Sequence, residues 1–336
     1  MTDSNHSNLD LNDAAPPTLN HVIGQERAVR QLRVALDAHY NDRAAARQGE
    51  TVQAFPHVLL VGPPGVGKSL LSAIVAKELG GALHEELAQN IHAPNDLHGL
   101  MLLADEGDVV FVDEIHELIP PAQTALYRCL EERRLFLPSG RTSKRQSITL
   151  PPFTFVSATT DEWNLAKPLR DRFKLVLRLE HYGVDELMQV VANRARRMGW
   201  TLTDETAMAI AQRGRGTPRL ALRLLDAARR SARAEDASNI TMQHLCDALA
   251  IEGVDRLGLD PIEQRYLRML ADSGAAVRLN VLATRLGLPR QTIEQVIESD
   301  LLRLDLIAKG EAGRTLTVRG REHLQQPDDR SDIAAS

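Results

Sequence analysis

The sequence predicts three parts in order. An α/β domain on a largely parallel sheet comes first, then a small all-α domain, then a unit of helices closed by a hairpin. Three observations carry this. Short apolar runs at 57–61, 108–112, 153–158 and 174–179 alternate with helical stretches, the pattern of parallel strands covered on both faces. From residue 184 only helical periodicity remains, over 184–198, 204–214, 219–234 and 241–251. A Gly/Asp-rich joint at 253–261 then leads to a different pattern, two helices, a Gly-Leu-Pro turn, a third helix and two short strands. The boundaries read as 18–182, 183–253 and 254–324, with polar ends at 1–17 and 325–336. A chain of 336 residues is long enough for two or three domains.

Within the first part, helical spacing of Val29, Leu32, Ala35 and Leu36 marks a helix from Glu26 to about Arg47. Helices also read at 69–79, stopped by Gly80-Gly81, and at 122–132. Between 133 and 150, Leu135, Leu137, Ile148 and Leu150 flank a polar, basic tip at 138–145, which predicts a hairpin.

Composition narrows the function classes. A formal net charge of −5 excludes a uniformly basic nucleic-acid binder, so any DNA contact must be local. Aromatic residues make up 4%, too few for stacking platforms along a single strand. The two cysteines, Cys129 and Cys246, form neither a disulfide framework nor a zinc site. No apolar run is long enough to cross a membrane, and the lead lacks a basic start and an apolar core. A cytoplasmic protein without membrane contact is expected.

The chemistry begins at Gly62-Pro63-Pro64-Gly65-Val66-Gly67-Lys68-Ser69, which fits G-x-x-x-x-G-K-[ST] between an apolar strand and a helix. Glycines let backbone N–H groups turn inward around a phosphate, and the helix directs its positive end at the same charge. Lys68 would reach the β- and γ-phosphates, and the Ser69 hydroxyl would ligate Mg2+. ATP contacts are therefore expected from Gly62, Pro63, Gly65, Val66, Gly67, Lys68, Ser69 and Leu70. The second strand ends in Asp113-Glu114, where a carboxylate faces the phosphates across the sheet crevice. Asp113 would hold the metal and Glu114 would polarise the attacking water. The third strand ends in Ser157-Ala158-Thr159-Thr160, whose hydroxyls could orient that water. Leu169-Arg170-Asp171-Arg172-Phe173 follows; an Arg-Asp-Arg cluster is commonly a solvated ion-pair group, but here an arginine could reach a neighbouring subunit's γ-phosphate.

These strings, with Leu150-Pro151-Pro152-Phe153 and Gly216-Thr217-Pro218-Arg219, stand in the order of the AAA+ ATPases. The chain most resembles the RuvB family of Holliday-junction branch-migration motors, from about Leu19 to about Leu324. The resemblance implies an AAA+ P-loop domain, an all-α lid and a C-terminal winged helix. It implies that Thr159 senses the nucleotide, that Arg172 is the trans arginine finger with Arg170 close by, and that Arg219 senses the γ-phosphate in cis. It places Ile23, Gly24 and Tyr182 about the adenine, although Tyr182 reads equally as a packing aromatic. It also implies a hexameric ring on double-stranded DNA at four-way junctions, in recombination and repair, with RuvA as partner.

The last unit is nearly neutral, with a locally positive wing: Lys309, Arg314, Arg319 and Arg321 against Glu311 and Glu322. A few phosphate contacts would give salt-dependent, sequence-independent binding. Lys309, Arg314 and Arg319 are the expected DNA contacts. The chain departs from the family in three places. Ala15-Pro16 and Val22 stand where an Arg-Pro pair and a Tyr are usual, the wing carries Glu311 and Ala312 where arginines are denser, and Lys144-Arg145-Gln146-Ser147 makes the partner-docking hairpin more polar. An alternative therefore stays open: an AAA+ remodelling or clamp-loader-like ATPase whose winged helix and hairpin grip a protein.

Overall fold

A computed structural model describes residues 15–46, 54–136 and 147–326. The chain forms two compact units, Met1–Val190 with Gly216–Arg219 and Val191–Arg215 with Leu220–Ser336.

The first unit opens with helix α1 (Glu26–Ala45), then alternates strand β1 (Val58–Val61), helix α2 (Lys68–Leu79), strand β2 (Leu83–Leu87), helix α3 (Pro94–Leu102) and strand β3 (Val109–Asp113). Helix α4 (Pro120–Glu132), strands β4 (Arg134–Phe136), β5 (Ser147–Thr149) and β6 (Thr154–Thr159), the short helix α5 (Lys167–Arg170) and strand β7 (Leu175–Arg178) complete it. The central sheet has the order β2-β3-β6-β1-β7, and every neighbouring pair is parallel. Side chains alternate across it with period two. Leu59, Val110, Val112 and Phe155 enter one core with α3 and α4, whereas Val58, Leu60, Val109, Phe111, Val156 and Ala158 enter the other with α1 and α2. Each fully buried Leu, Val or Phe contributes about 1.5–3 kcal/mol, so both faces tie the sheet to its helices.

The register decides where chemistry can sit. Val61 lies opposite Thr159, and Val112 opposite Ser157. The P-loop, Asp113 and Thr159 therefore all leave the sheet at its carboxyl edge, the place where open α/β sheets bind ligands. The antiparallel ends of the predicted hairpin are present, with Leu135 opposite Ile148, while the tip at 138–145 lies outside the described residues.

Some elements go beyond the sequence expectation. Strand β2 reads Leu-His-Glu-Glu-Leu, a sheet-edge strand whose polar residues hide the apolar signal. Helix α3 starts at Pro94, with the Asp96 carboxylate accepting from the N–H groups of His92 and Ala93 at 3.0 and 2.9 Å. Its nine residues are too few for a clear periodicity. The chain also adds a last helix, named below.

Helix α6 (Val184–Arg197) begins in the first unit and continues into the second, and is followed by strand β8 (Thr201–Leu202), helix α7 (Asp204–Arg213), helix α8 (Pro218–Ala234), whose first two residues belong to the first unit, strand β9 (Asn239–Ile240) and helix α9 (Met242–Glu252). The four expected lid helices are present with ends shifted by a residue or two; β8 and β9 add a short parallel pair. Helix α10 (Pro261–Ser273) is capped by Asp260, and helix α11 (Leu279–Leu286) is stopped by Gly287. The third helix of this part runs as α12 (Arg290–Thr292), a π turn at Ile293–Ile297, and α13 (Glu298–Arg303). Strands β10 (Ile307–Gly310) and β11 (Gly313–Leu316) pair antiparallel as the wing, and α14 (Val318–Gln325) is the unexpected last helix. Tyr266, Leu267, Leu282, Ile293 and Leu301 form the core beneath the wing.

Candidate active site

The P-loop turns tightly between β1 and α2. Gly65 has φ +77°, and a Cβ there would meet Thr217 Cγ2 at 2.8 Å, so only glycine fits both the turn and the approach. The Arg219 N–H donates to the Gly65 carbonyl at 3.3 Å, which seats the segment carrying Arg219 directly on the loop. Lys68 is buried, and its Nζ donates to the carbonyls of Gly62 at 2.9 Å and Pro63 at 3.0 Å. Burial lowers the Lys68 pKa from the ordinary lysine value; Glu114 and Asp113 work against that shift and Arg219 with it. A lysine so placed is a desolvated cation beside two carboxylates, suited to a phosphate.

Asp113 and Glu114 follow β3. Asp113 accepts from Ser69 Oγ at 3.2 Å through one oxygen and from the Glu114 N–H at 2.9 Å through the other. A hydroxyl and a carboxylate in contact supply the oxygen ligands that a hard divalent cation uses. Glu114 has φ +48°, a left-handed conformation costing roughly 1–3 kcal/mol for a side-chain-bearing residue. That turn carries the carboxylate toward the end of β6. Its Oε2 accepts from the Thr160 N–H and the Thr160 hydroxyl, both at 3.1 Å.

The hydroxyl that meets Glu114 is thus Thr160's, where the sequence reading singled out Thr159. Thr159 is fully buried, accepts from the Asp161 N–H at 3.0 Å, and lies 3.0 Å from His116 Nδ1. Thr159 closes β6 and Thr160 follows it in the bend, so the two hydroxyls meet different partners.

Around the expected adenine region, Gly24 and Tyr182 are brought together: a Cβ on Gly24, at φ +65°, would lie 3.0 Å from Tyr182 Cε1 and 2.8 Å from Glu186 Oε1. Ile23 adjoins them and is partly buried. The Tyr182 N–H donates to the Gly216 carbonyl at 2.9 Å, and burial pushes its phenol up to about 12. Gln25 was not foreseen as a site residue. Its amide bridges both backbone groups of Glu180, donating at 2.8 Å and accepting at 3.0 Å.

The two arginines of the Arg-Asp-Arg string have separate partners. Arg172 pairs with Glu131 at 2.5 Å, and its guanidinium stands 5.8 Å from the Tyr127 ring centre. Arg170 stacks on Trp163 at 4.7 Å. Trp163 is 77% exposed, an unusual position for an indole.

In the wing, Lys309 and Arg314 are cross-strand partners that converge on one carboxylate. Glu298 is wholly buried and receives Lys309 Nζ at 2.6 Å, Arg314 Nε at 2.9 Å and the Tyr266 hydroxyl at 2.7 Å. Arg314 also reaches Glu294 at 2.9 Å. The Arg319 side chain is exposed and has no hydrogen bond or ion pair among the described residues.

Residues 14–179 match the model of the Holliday junction DNA helicase RuvB P-loop domain, 182–255 the RuvB AAA lid domain, and 256–325 the RuvB C-terminal winged helix domain. The chain belongs to the RuvB family. Its relatives include the Holliday junction branch migration complex subunit RuvB of Synechococcus sp. (strain CC9311), 39% identical over 95% of this chain and 88% of that one. The same subunit of Prochlorococcus marinus (strain MIT 9303) is 39% identical over 93% of this chain and 88% of its own. The RuvB Holliday junction branch migration motor of Thermotoga maritima superposes with a TM-score of 0.78 at 32% identity, covering 94% of this chain and 99% of that one. A point mutant of that RuvB gives a TM-score of 0.80, also at 32% identity, covering 94% of this chain and 99% of that one. The chain is accordingly a P-loop ATPase of the AAA+ class. No helix of the described residues is long and apolar enough to cross a membrane.

Proposed function

We propose that this RuvB-family ATPase hydrolyses ATP to drive duplex DNA through four-way junctions, as one subunit of a ring, with a RuvA-like protein as partner. The observation that carries the reading is the convergence of Lys68, Ser69, Asp113, Glu114 and Thr160 at the sheet's carboxyl edge, with Arg219 seated on Gly65. Ser69 and Asp113 would hold Mg2+, which would supply neutralisation of phosphate charge. Lys68 offers its ammonium to the β- and γ-phosphates. Glu114 orients and polarises the attacking water, and Thr160 fixes its carboxylate. Ile23, Gly24 and Tyr182 line the adenine pocket. Arg172 reaches a neighbour's γ-phosphate, and Arg219 reads the γ-phosphate in its own subunit.

In the winged helix, Arg319 contacts phosphate directly, while Lys309 and Arg314 offer whatever donor capacity Glu298 and Glu294 leave. That shared capacity favours a second reading, in which the winged helix grips protein. One experiment separates the two: ATP turnover with and without a four-way junction, with branch-migrated products assayed in the same tubes. Junction-stimulated turnover with product supports the DNA motor. Turnover indifferent to DNA removes that role, keeps the ATPase and favours the protein-gripping reading.

A further inference from the structure

His116 sits where three parts of the hydrolytic machinery meet. It lies in the turn after β3, two residues beyond Glu114. Its Nδ1 is 3.0 Å from Thr159 Oγ1 and 3.3 Å from Glu114 Oε2, and its Nε2 is 3.4 Å from Glu117 Oε1. The side chain is largely shielded, at 13% exposure.

Donor accounting fixes the arrangement. Thr159 is fully buried, so its hydroxyl needs a partner for its single proton. The Asp161 N–H already donates to that oxygen. The Thr159 hydroxyl therefore donates to His116 Nδ1, and the ring proton stands on Nε2, facing the Glu117 carboxylate. Nδ1 then has no proton to give Glu114. The carboxylate is left between a ring edge that cannot bind it and Thr160, which donates twice. Its Oε2 is held on Thr160, and its Oε1 has no hydrogen bond among the described residues.

We infer that His116 is a positioning residue for hydrolysis: through Nδ1 it ties the buried end of β6 to the turn after β3 and confines the Glu114 carboxylate to the Thr160 side. The inference rests on the reading of Glu114 as the water-polarising group. It concerns orientation, so removing the ring acts on turnover and leaves nucleotide binding alone. Small displacements of a group that orients a reactant cost up to about 100-fold in rate.

The test uses the full-length protein, with ATP turnover and binding of a fluorescent ADP analogue measured on His116→Ala, His116→Asn and His116→Gln. Asparagine places an amide oxygen near Nδ1 and can keep the Thr159 bond, whereas glutamine places its amide near Nε2. The expected result is a kcat about 10- to 100-fold lower for His116→Ala and His116→Gln, with KM and analogue affinity within about twofold, and recovery toward wild type in His116→Asn. Unchanged kcat in His116→Ala would overturn the inference. So would lost analogue binding, or equal behaviour of the Asn and Gln variants, since each points to bulk packing. Glu114→Gln is the separate control: if it retains turnover, the underlying reading of Glu114 fails, whatever the histidine variants do.

Discussion

Single residues here act through bonds that leave no slack. Thr159 and Thr160 are adjacent and chemically identical, yet one is sealed in the sheet and the other meets Glu114. Thr160→Val should leave ADP binding intact and lower kcat, as read by steady-state turnover against analogue affinity. Thr159→Val should strand the Asp161 N–H and His116 Nδ1, and so should cost about 1–3 kcal/mol of stability, measurable by chemical unfolding, and through the loss of the His116 tie should lower kcat as well. Unchanged kcat in Thr160→Val would remove Thr160 from the group that holds Glu114. His57 gives a pH signature of its own. Burial, with Arg133 and Lys174 nearby, lowers it to about 4, and its Nδ1 accepts from the Phe155 N–H at 3.0 Å. The folded state therefore refuses a proton that the unfolded chain takes below its pKa of 6.5. Its contribution is complete above pH 6.5 and falls away as pH drops toward 4, by about 3 kcal/mol at most. His57→Asn, which keeps an acceptor without titrating, should flatten the fall in melting temperature across that window in calorimetry.

At the scale of elements, the winged helix shows a limit of sequence reading. The expected hairpin is there, with Lys309 opposite Arg314, but the sequence does not show that both cations descend on Glu298. The glutamate lies on a different helix, and only the packing of Tyr266 and the π turn brings it beneath the wing. The wing cations therefore hold the domain together as well as facing outward. Arg314→Ala should leave a buried carboxylate short of its main partner and cost about 3 kcal/mol, seen as a lower unfolding temperature of the full-length protein. Arg319→Ala should leave stability unchanged and reduce the slope of log K for DNA against log salt by about one. An unchanged slope would remove Arg319 from the DNA contacts. The P-loop's place between β1 and α2, by contrast, was legible, because phosphate-binding geometry fixes its spacing locally. Strand β2 and helix α3 were not legible: a polar sheet-edge strand and a nine-residue helix carry too little periodicity. The partners of Arg170 and Arg172 were also invisible, since Trp163 and Glu131 stand on other elements and only the fold brings them close.

At the scale of the whole molecule, Arg172 is the residue whose role reaches beyond one subunit's own fold. Its guanidinium is committed to Glu131, yet its Nε is buried without a hydrogen-bond partner among the described residues, and it lies in the string just before β7, near the Trp163–Arg170 stack. A side chain held ready but incompletely satisfied suits a group that completes a neighbour's site. If so, Arg172→Ala subunits keep a sound P-loop and lack only the donated arginine, whereas Lys68→Ala subunits have a dead P-loop and an intact arginine to give. Each alone should be inactive, with nucleotide binding kept in the first and lost in the second. Mixed in equal parts, random assembly into a head-to-tail ring would pair a sound P-loop with an intact donor at about a quarter of interfaces. ATPase activity should then rise from near zero toward about that fraction of wild type if sites fire independently, and to less if they must fire in sequence. The titration of activity against mixing ratio should peak at equal proportions. A flat line at the level of the separate variants would show that Arg172 serves its own subunit, and the ring would then have to be argued from other residues.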